Sequence, residues 1–83
     1  MSSEPQNFEI LLVPEHVVEG SRQDAVRSAV VAPTGGNGAS GYPRYSGEGM
    51  VADIDPATRT VEALLVDGAE LDYGLKPIVY GPS

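Results

Sequence analysis

The sequence predicts an all-β domain, a small antiparallel sheet curled into a partly open, SH3-like barrel. Three observations carry that expectation. Short apolar stretches rich in β-branched residues recur between Gly, Pro and Asp turn signals. One of those turns is spelled out residue by residue. Only residues 21–32 show helical spacing.

The first strand is read at Phe8-Glu9-Ile10-Leu11-Leu12-Val13, stopped by Pro14. Phe8, Ile10 and Leu12 share one face of an extended chain, and Leu11 and Val13 on the other imply that its second half is covered on both sides. Residues 15–20 form a connection containing Val17-Val18. Residues 21–32 carry two readings. Ser21 with Asp24 fits a capping box, and Ala25, Val26, Ala29 and Val30 fall at helical spacing. Val26, Val30 and Val31 are β-branched and Pro33 closes the run, which favours a strand at 24–31. The alternative is an α+β sheet with one helix at 22–31.

The explicit turn is Asp55-Pro56-Ala57-Thr58, where the Asp can bond back to the backbone and Pro presets φ for a type I turn. It joins residues 49–54 to residues 59–66 as a hairpin. A regular register places Met50, Ala52 and Ile54 on one face against Val61, Ala63 and Leu65, with Asp53, Thr60 and Glu62 facing outward. Asp67-Gly68 makes another turn. Residues 69–74 lead to a last short strand at Pro77-Ile78-Val79-Tyr80, ended by Gly81-Pro82.

A chain of 83 residues has room for one domain with a modest core. We read residues 1–7 as a flexible N-terminus and residues 8–80 as a single β domain with a Gly-rich loop at 34–41. The absence of Cys excludes disulfides and thiolate zinc sites, and a single His excludes multi-histidine metal sites, so no metal or cofactor is expected. The longest apolar run, Ile10-Leu11-Leu12-Val13, is too short for a signal peptide core or a membrane span, which suggests a soluble, cytoplasmic protein. Five basic against twelve acidic residues give a net charge of −7, and no two basic residues are adjacent. Nucleic acid and anionic membranes are therefore disfavoured as partners. A basic protein, a cationic ligand or a neutral one remains compatible.

The segment from Thr34 to Asp53 holds six of the ten glycines. It is no phosphate cradle, because no Lys follows the glycines as a P-loop requires and Tyr42-Pro43 stands where a Rossmann fingerprint needs a helix. It reads as a connection. Beyond it, Tyr42-Pro43-Arg44-Tyr45 alternates, so that Tyr42 and Arg44 share one face and Pro43 and Tyr45 the other. With one Phe and no Trp, the chain needs Tyr45 in its core, which leaves Tyr42 outside. Tyr42, Arg44 and Tyr73 are the candidate binding residues, since amphipathic rings and Arg suit protein and peptide interfaces. His16, flanked by Glu15, and Glu48 are the candidates for proton transfer, although no nucleophile motif accompanies them.

The pattern Val30-Val31, Thr34-Gly35, Gly41-Tyr42-Pro43, Tyr45, Gly49-Met50-Val51 and Ala52-Asp53-Ile54 resembles a group of short, uncharacterised actinomycete proteins. Their members read as T-G, then G-[HY]-P-x-Y, then G-[IM]-V-x-A-[DE]-I. The resemblance covers the middle third of the chain. It implies a cytoplasmic actinobacterial protein and a strand over residues 24–32, and it carries no activity. Tyr42 stands where that group often has His, which puts any imidazole role there in doubt.

Two functions follow as expectations. The favoured one is an acidic, non-catalytic binding module that offers Tyr42, Arg44 and a strand edge to a protein or peptide, with a homodimer also compatible. The alternative is a small-molecule-binding protein or small enzyme with His16 as general base, assisted by Glu48, at the barrel mouth.

Overall fold

The computed structural model describes residues 7–18, 20–71 and 74–82. Seven strands follow one another along the chain: β1 (Phe8–Pro14), β2 (Arg27–Asn37), β3 (Pro43–Gly47), β4 (Met50–Asp55), β5 (Thr60–Val66), β6 (Ala69–Glu70) and β7 (Leu75–Pro82). All pairings are antiparallel, in the order β6-β5-β4-β3-β2-β1-β7. The sheet is strongly curled into an open half-barrel, the small partly open barrel that the sequence predicts. Among the described residues there is no helix.

The curl exists because one sheet must enclose its own core. Phe8, Ile10, Leu12, Ala29, Val31, Tyr45, Met50, Ala52 and Ile54 form a buried cluster on the concave side. Phe8 and Tyr45 meet edge to face, with ring centroids 5.1 Å apart, an arrangement aromatic quadrupoles favour. Burying these side chains together is the main source of stability.

β1 pairs with both β2 and β7, and five of its residues are buried. Leu11 and Val13, pointing away from the core cluster, are covered as the sequence implies. The cover comes from the connection 15–26, whose Gly20 lies so close to Val13 and Ile78 that a β-carbon there would collide with the Ile78 side chain. Arg22 fastens this strap. It donates to both carboxylate oxygens of Glu9, at 3.1 and 2.5 Å, and its guanidinium lies 5.2 Å from the centre of the Tyr80 ring. Ser21 and Asp24 form only one half of a capping box: the Asp24 carboxylate accepts from the Ser21 N–H and hydroxyl, while the Asp24 N–H donates to the Ser21 carbonyl instead of its hydroxyl. They hold a single turn, however, and the chain then extends into β2 from Arg27, which rules out the helix at 22–31.

Three sequence expectations need correction. In the β4–β5 hairpin the loop chemistry is as expected, with the Ala57 N–H donating to Asp55 Oδ1 and the Arg59 N–H to the Asp55 carbonyl. The register is not. Ile54 pairs with Val61 but Asp53 with Ala63, so Glu62 is an extra residue on β5. This bulge moves every later side chain to the other face. Val61, Leu64 and Val66 pack against the core, whereas Ala63 and Leu65 are exposed. The second correction concerns Asp53, which faces away from the core as expected but is buried there instead of exposed. The third concerns residues 34–41, of which Thr34 to Asn37 belong to β2, opposed irregularly to Arg44, so that only Gly38 to Tyr42 remains loop.

Ile54 is fully buried at the centre of the cluster. Ile54→Ala should cost about 2–5 kcal/mol through lost contacts and the cavity left behind. Urea unfolding checks this: a lower midpoint at unchanged slope is expected, and a loss under about 1 kcal/mol would show that the site collapses freely.

Candidate functional site

Two polar constellations stand on this scaffold, one on the convex face and one at the mouth of the half-barrel. The convex one is built around Asp53. Arg44 is its cross-strand partner, so the two side chains share a face. Arg44 Nε donates to Asp53 Oδ1 at 3.0 Å, and the Ser40 hydroxyl donates to Oδ2 at 2.9 Å. Gly38 closes the roof: a β-carbon there would occupy the position of the carboxylate, so only glycine permits the approach. Burial by itself disfavours the Asp53 charge, but the bonds from Arg44 and Ser40 and the charge of Arg44 outweigh it and hold the pKa below its ordinary 3.8. The Gly-rich loop is thus a lid tied down onto a buried carboxylate.

The second constellation is a clamp. Arg27, at the start of β2, donates through both terminal nitrogens to Asp67, at 2.7 and 3.2 Å, and to the Glu48 carbonyl at 3.1 Å. Glu48-Gly49 and Asp67-Gly68 are two-residue hairpin turns with positive φ at every position, 50° and 85° in the first and 53° and 83° in the second, the type I′ pattern. The Asp67 N–H donates to the Gly49 carbonyl at 2.7 Å, so the two turns are also joined directly. The hydrogen bond from Arg27 and its charge lower the Asp67 pKa. The Glu48 carboxylate accepts from the Val30 N–H, adding a rung where the β2–β3 ladder ends.

Beside the clamp the mouth opens into a concavity of about 310 Å³. Leu12, Val26, Val66, Leu71 and Leu75 supply its apolar wall, and Arg27, Asp67, Ala69 and Glu70 complete it. The volume is at the lower end of the range of about 300–1,000 Å³ typical of ligand pockets. Along one side runs β6, the terminal strand of the sheet, whose two residues are both exposed. Val26 is 64% exposed, a large share for an apolar side chain beside a cavity.

The residues singled out in the sequence are not gathered at one place. Tyr45 is in the core, as the chain's shortage of large aromatic side chains predicts. Tyr42 is half-buried at the end of the lid, and Arg44 is engaged with Asp53 while its side chain remains 40% exposed. Tyr73 lies outside the described residues. His16 sits exposed in the turn after β1 and Glu48 in the β3–β4 turn, and neither lines the concavity. No hydrogen bond joins them among the described residues. Sequence reasoning missed Arg27, Asp67 and Leu71. Asp67 carried a signal only as a turn residue, and the others carried none, because the mouth is assembled from five separate stretches. Among the described residues no cluster of three or more His, Cys, Asp or Glu could hold a metal ion. Among the described residues no helix is long and apolar enough to cross a membrane. No known protein family, curated protein or solved structure matches the chain.

Arg44→Ala leaves the buried Asp53 carboxylate without its countercharge and should cost about 2 kcal/mol in urea unfolding. An unchanged midpoint would show that Arg44 is held on the surface for another purpose. The Asp53 contribution is fully present above pH 3.8, the ordinary carboxyl value, and is lost as pH falls from there through the lower folded value. Acid titration of the wild type should therefore show a stability decline in that window which Asp53→Asn lacks; parallel curves would contradict the assignment.

Proposed function

We propose that the protein is a non-catalytic binding module that takes up an extended segment of a protein or peptide partner at the mouth of the half-barrel. The observation that carries this reading is the apolar concavity lying directly against β6, a terminal strand that pairs only with β5 among the described residues. An extended chain laid along β6 satisfies its own backbone groups on the strand edge, and its alternate side chains point the same way, one of them into the concavity. Backbone pairing supplies affinity and the pocket supplies selectivity. The rigid surroundings favour such a role, since the Arg27 clamp fixes both turns that frame the opening and little ordering entropy is left to lose on binding.

The polar groups at the mouth argue against chemistry there. Arg27 and Asp67 are committed to each other, and Glu48 to the backbone of β2. A general base needs its acceptor within hydrogen-bond reach of a bound substrate, and the exposed His16 lies outside the lining of the pocket. Tyr42 and Arg44, the recognition residues expected from the sequence, do not line it either; Arg44 serves Asp53.

A neutral eight-residue peptide alternating serine with leucine tests the reading. Titrated against the isotopically labelled protein, it should shift the amide resonances of residues 66–71. Ala69→Trp, which fills the concavity from an exposed position, should weaken binding at least ten-fold without unfolding the domain. Shifts confined to residues 42–45, or no shifts at all, would sink it.

A further inference from the structure

The charge around the mouth identifies the kind of partner. Three acidic groups stand near the opening with their charge uncompensated by any ion pair among the described residues. Glu70 lines the concavity itself. Glu48 spends its carboxylate on a backbone N–H, which leaves its charge intact. Glu15 begins the turn after β1, where its N–H donates to the Gly74 carbonyl at 2.8 Å beside the start of β7. The one cation in the lining, Arg27, is neutralised by the bidentate contact with Asp67. The lining therefore carries one uncompensated negative charge, that of Glu70, on a chain that is itself at −7.

We infer that the mouth selects a basic extended segment, one that carries a large apolar residue flanked by Lys or Arg. The inference rests on the binding-module reading above and adds the partner's chemical class to it. The anchor fills the apolar wall formed by Leu12, Val66, Leu71 and Leu75. In a strand the residues on either side of the anchor point away from the pocket, which sets their cationic heads on the face that Glu70 shares with the exposed Leu65. Rim pairs of this kind contribute modestly to affinity and strongly to association rate and to the rejection of wrong partners. A second copy of this chain is the poorer occupant, because it brings another −7 of charge to an already acidic rim.

Three labelled eight-residue peptides test this by fluorescence anisotropy: lysine alternating with leucine, glutamate alternating with leucine, and lysine alternating with glycine. The first is expected to bind at least ten-fold more tightly than either of the others and to lose affinity as salt is raised. Glu70→Lys, at an exposed position, should cut that preference several-fold. Equal binding of the lysine–leucine and glutamate–leucine peptides would overturn the inference, and so would equal binding of the lysine–glycine peptide, which has charge without an anchor. If the neutral peptide engages residues 66–71 and the lysine peptide is no tighter, the charge selection fails and the module stands. If no peptide engages those residues, both fail.

Discussion

A single sheet with no helix to lean on has to wrap around its own apolar side chains, and this requirement shapes the whole domain. The nine buried residues of the core lie on the concave face of β1 to β4, and the half-buried Val61, Leu64, Val66 and Val79 bring in the outer strands. Tight wrapping demands local increases in twist, which bulges provide. They occur opposite Asp53 and Ile54 in the β4–β5 pair, opposite Glu9 and Ile10 in the β1–β7 pair, and along residues 33–37 of β2. Curling ends before closure, because β6 contributes only two residues and, among the described residues, pairs with nothing beyond β5. The opening at the mouth is the direct consequence, and its apolar lining is core that the sheet does not cover.

With so small a core, the polar groups do positional work. Asp53 is nearly inaccessible, and its charge is tolerated because Arg44 and Ser40 satisfy both oxygens. A buried pair of this kind adds little net stability compared with an apolar substitute, but it fixes which loop conformation the chain adopts. Arg27 does the same for the two hairpin turns, and Arg22 for the strap over β1 and β7. Three of the chain's five basic residues thus hold the fold, which leaves the acidic ones to set the character of the surface.

Much of the architecture was legible in the sequence because it is written in local chemistry. The Asp-Pro turn, the strand character of residues 8–13, the Asp67-Gly68 turn and the inward place of Tyr45 all follow from short-range rules. What escaped is non-local. Strict alternation assigns Asp53 to solvent, and nothing in the order of residues announces that Gly38 will come down upon it, although a Gly, a Ser and an Arg within fifteen positions of an Asp were the raw material. The face assignment of Ala63 and Leu65 failed at Glu62, whose bulge has no signature in residue type. The glycines of 34–41 read as a plain connection; three-dimensional placement puts Gly35 and Gly36 in β2 and makes Gly38 the roof over Asp53. The mouth was invisible because its wall combines Leu12, Val26, Val66, Leu71 and Leu75, which meet only after the sheet has curled.

The proposed function rests on incompleteness of the barrel: a strand edge with no further partner among the described residues and a pocket continuous with the core occur together at one end of the molecule. A rigid frame around them means that a partner finds the site already formed. The most direct test is a set of nuclear Overhauser contacts between the backbone of a bound lysine–leucine peptide and the protein. The account predicts cross-strand contacts from the peptide's α and amide protons to Ala69 and Glu70, with a leucine methyl touching Leu71 and Val66. Contacts from the peptide to Tyr42 and Arg44, with none to Ala69 or Glu70, would contradict it.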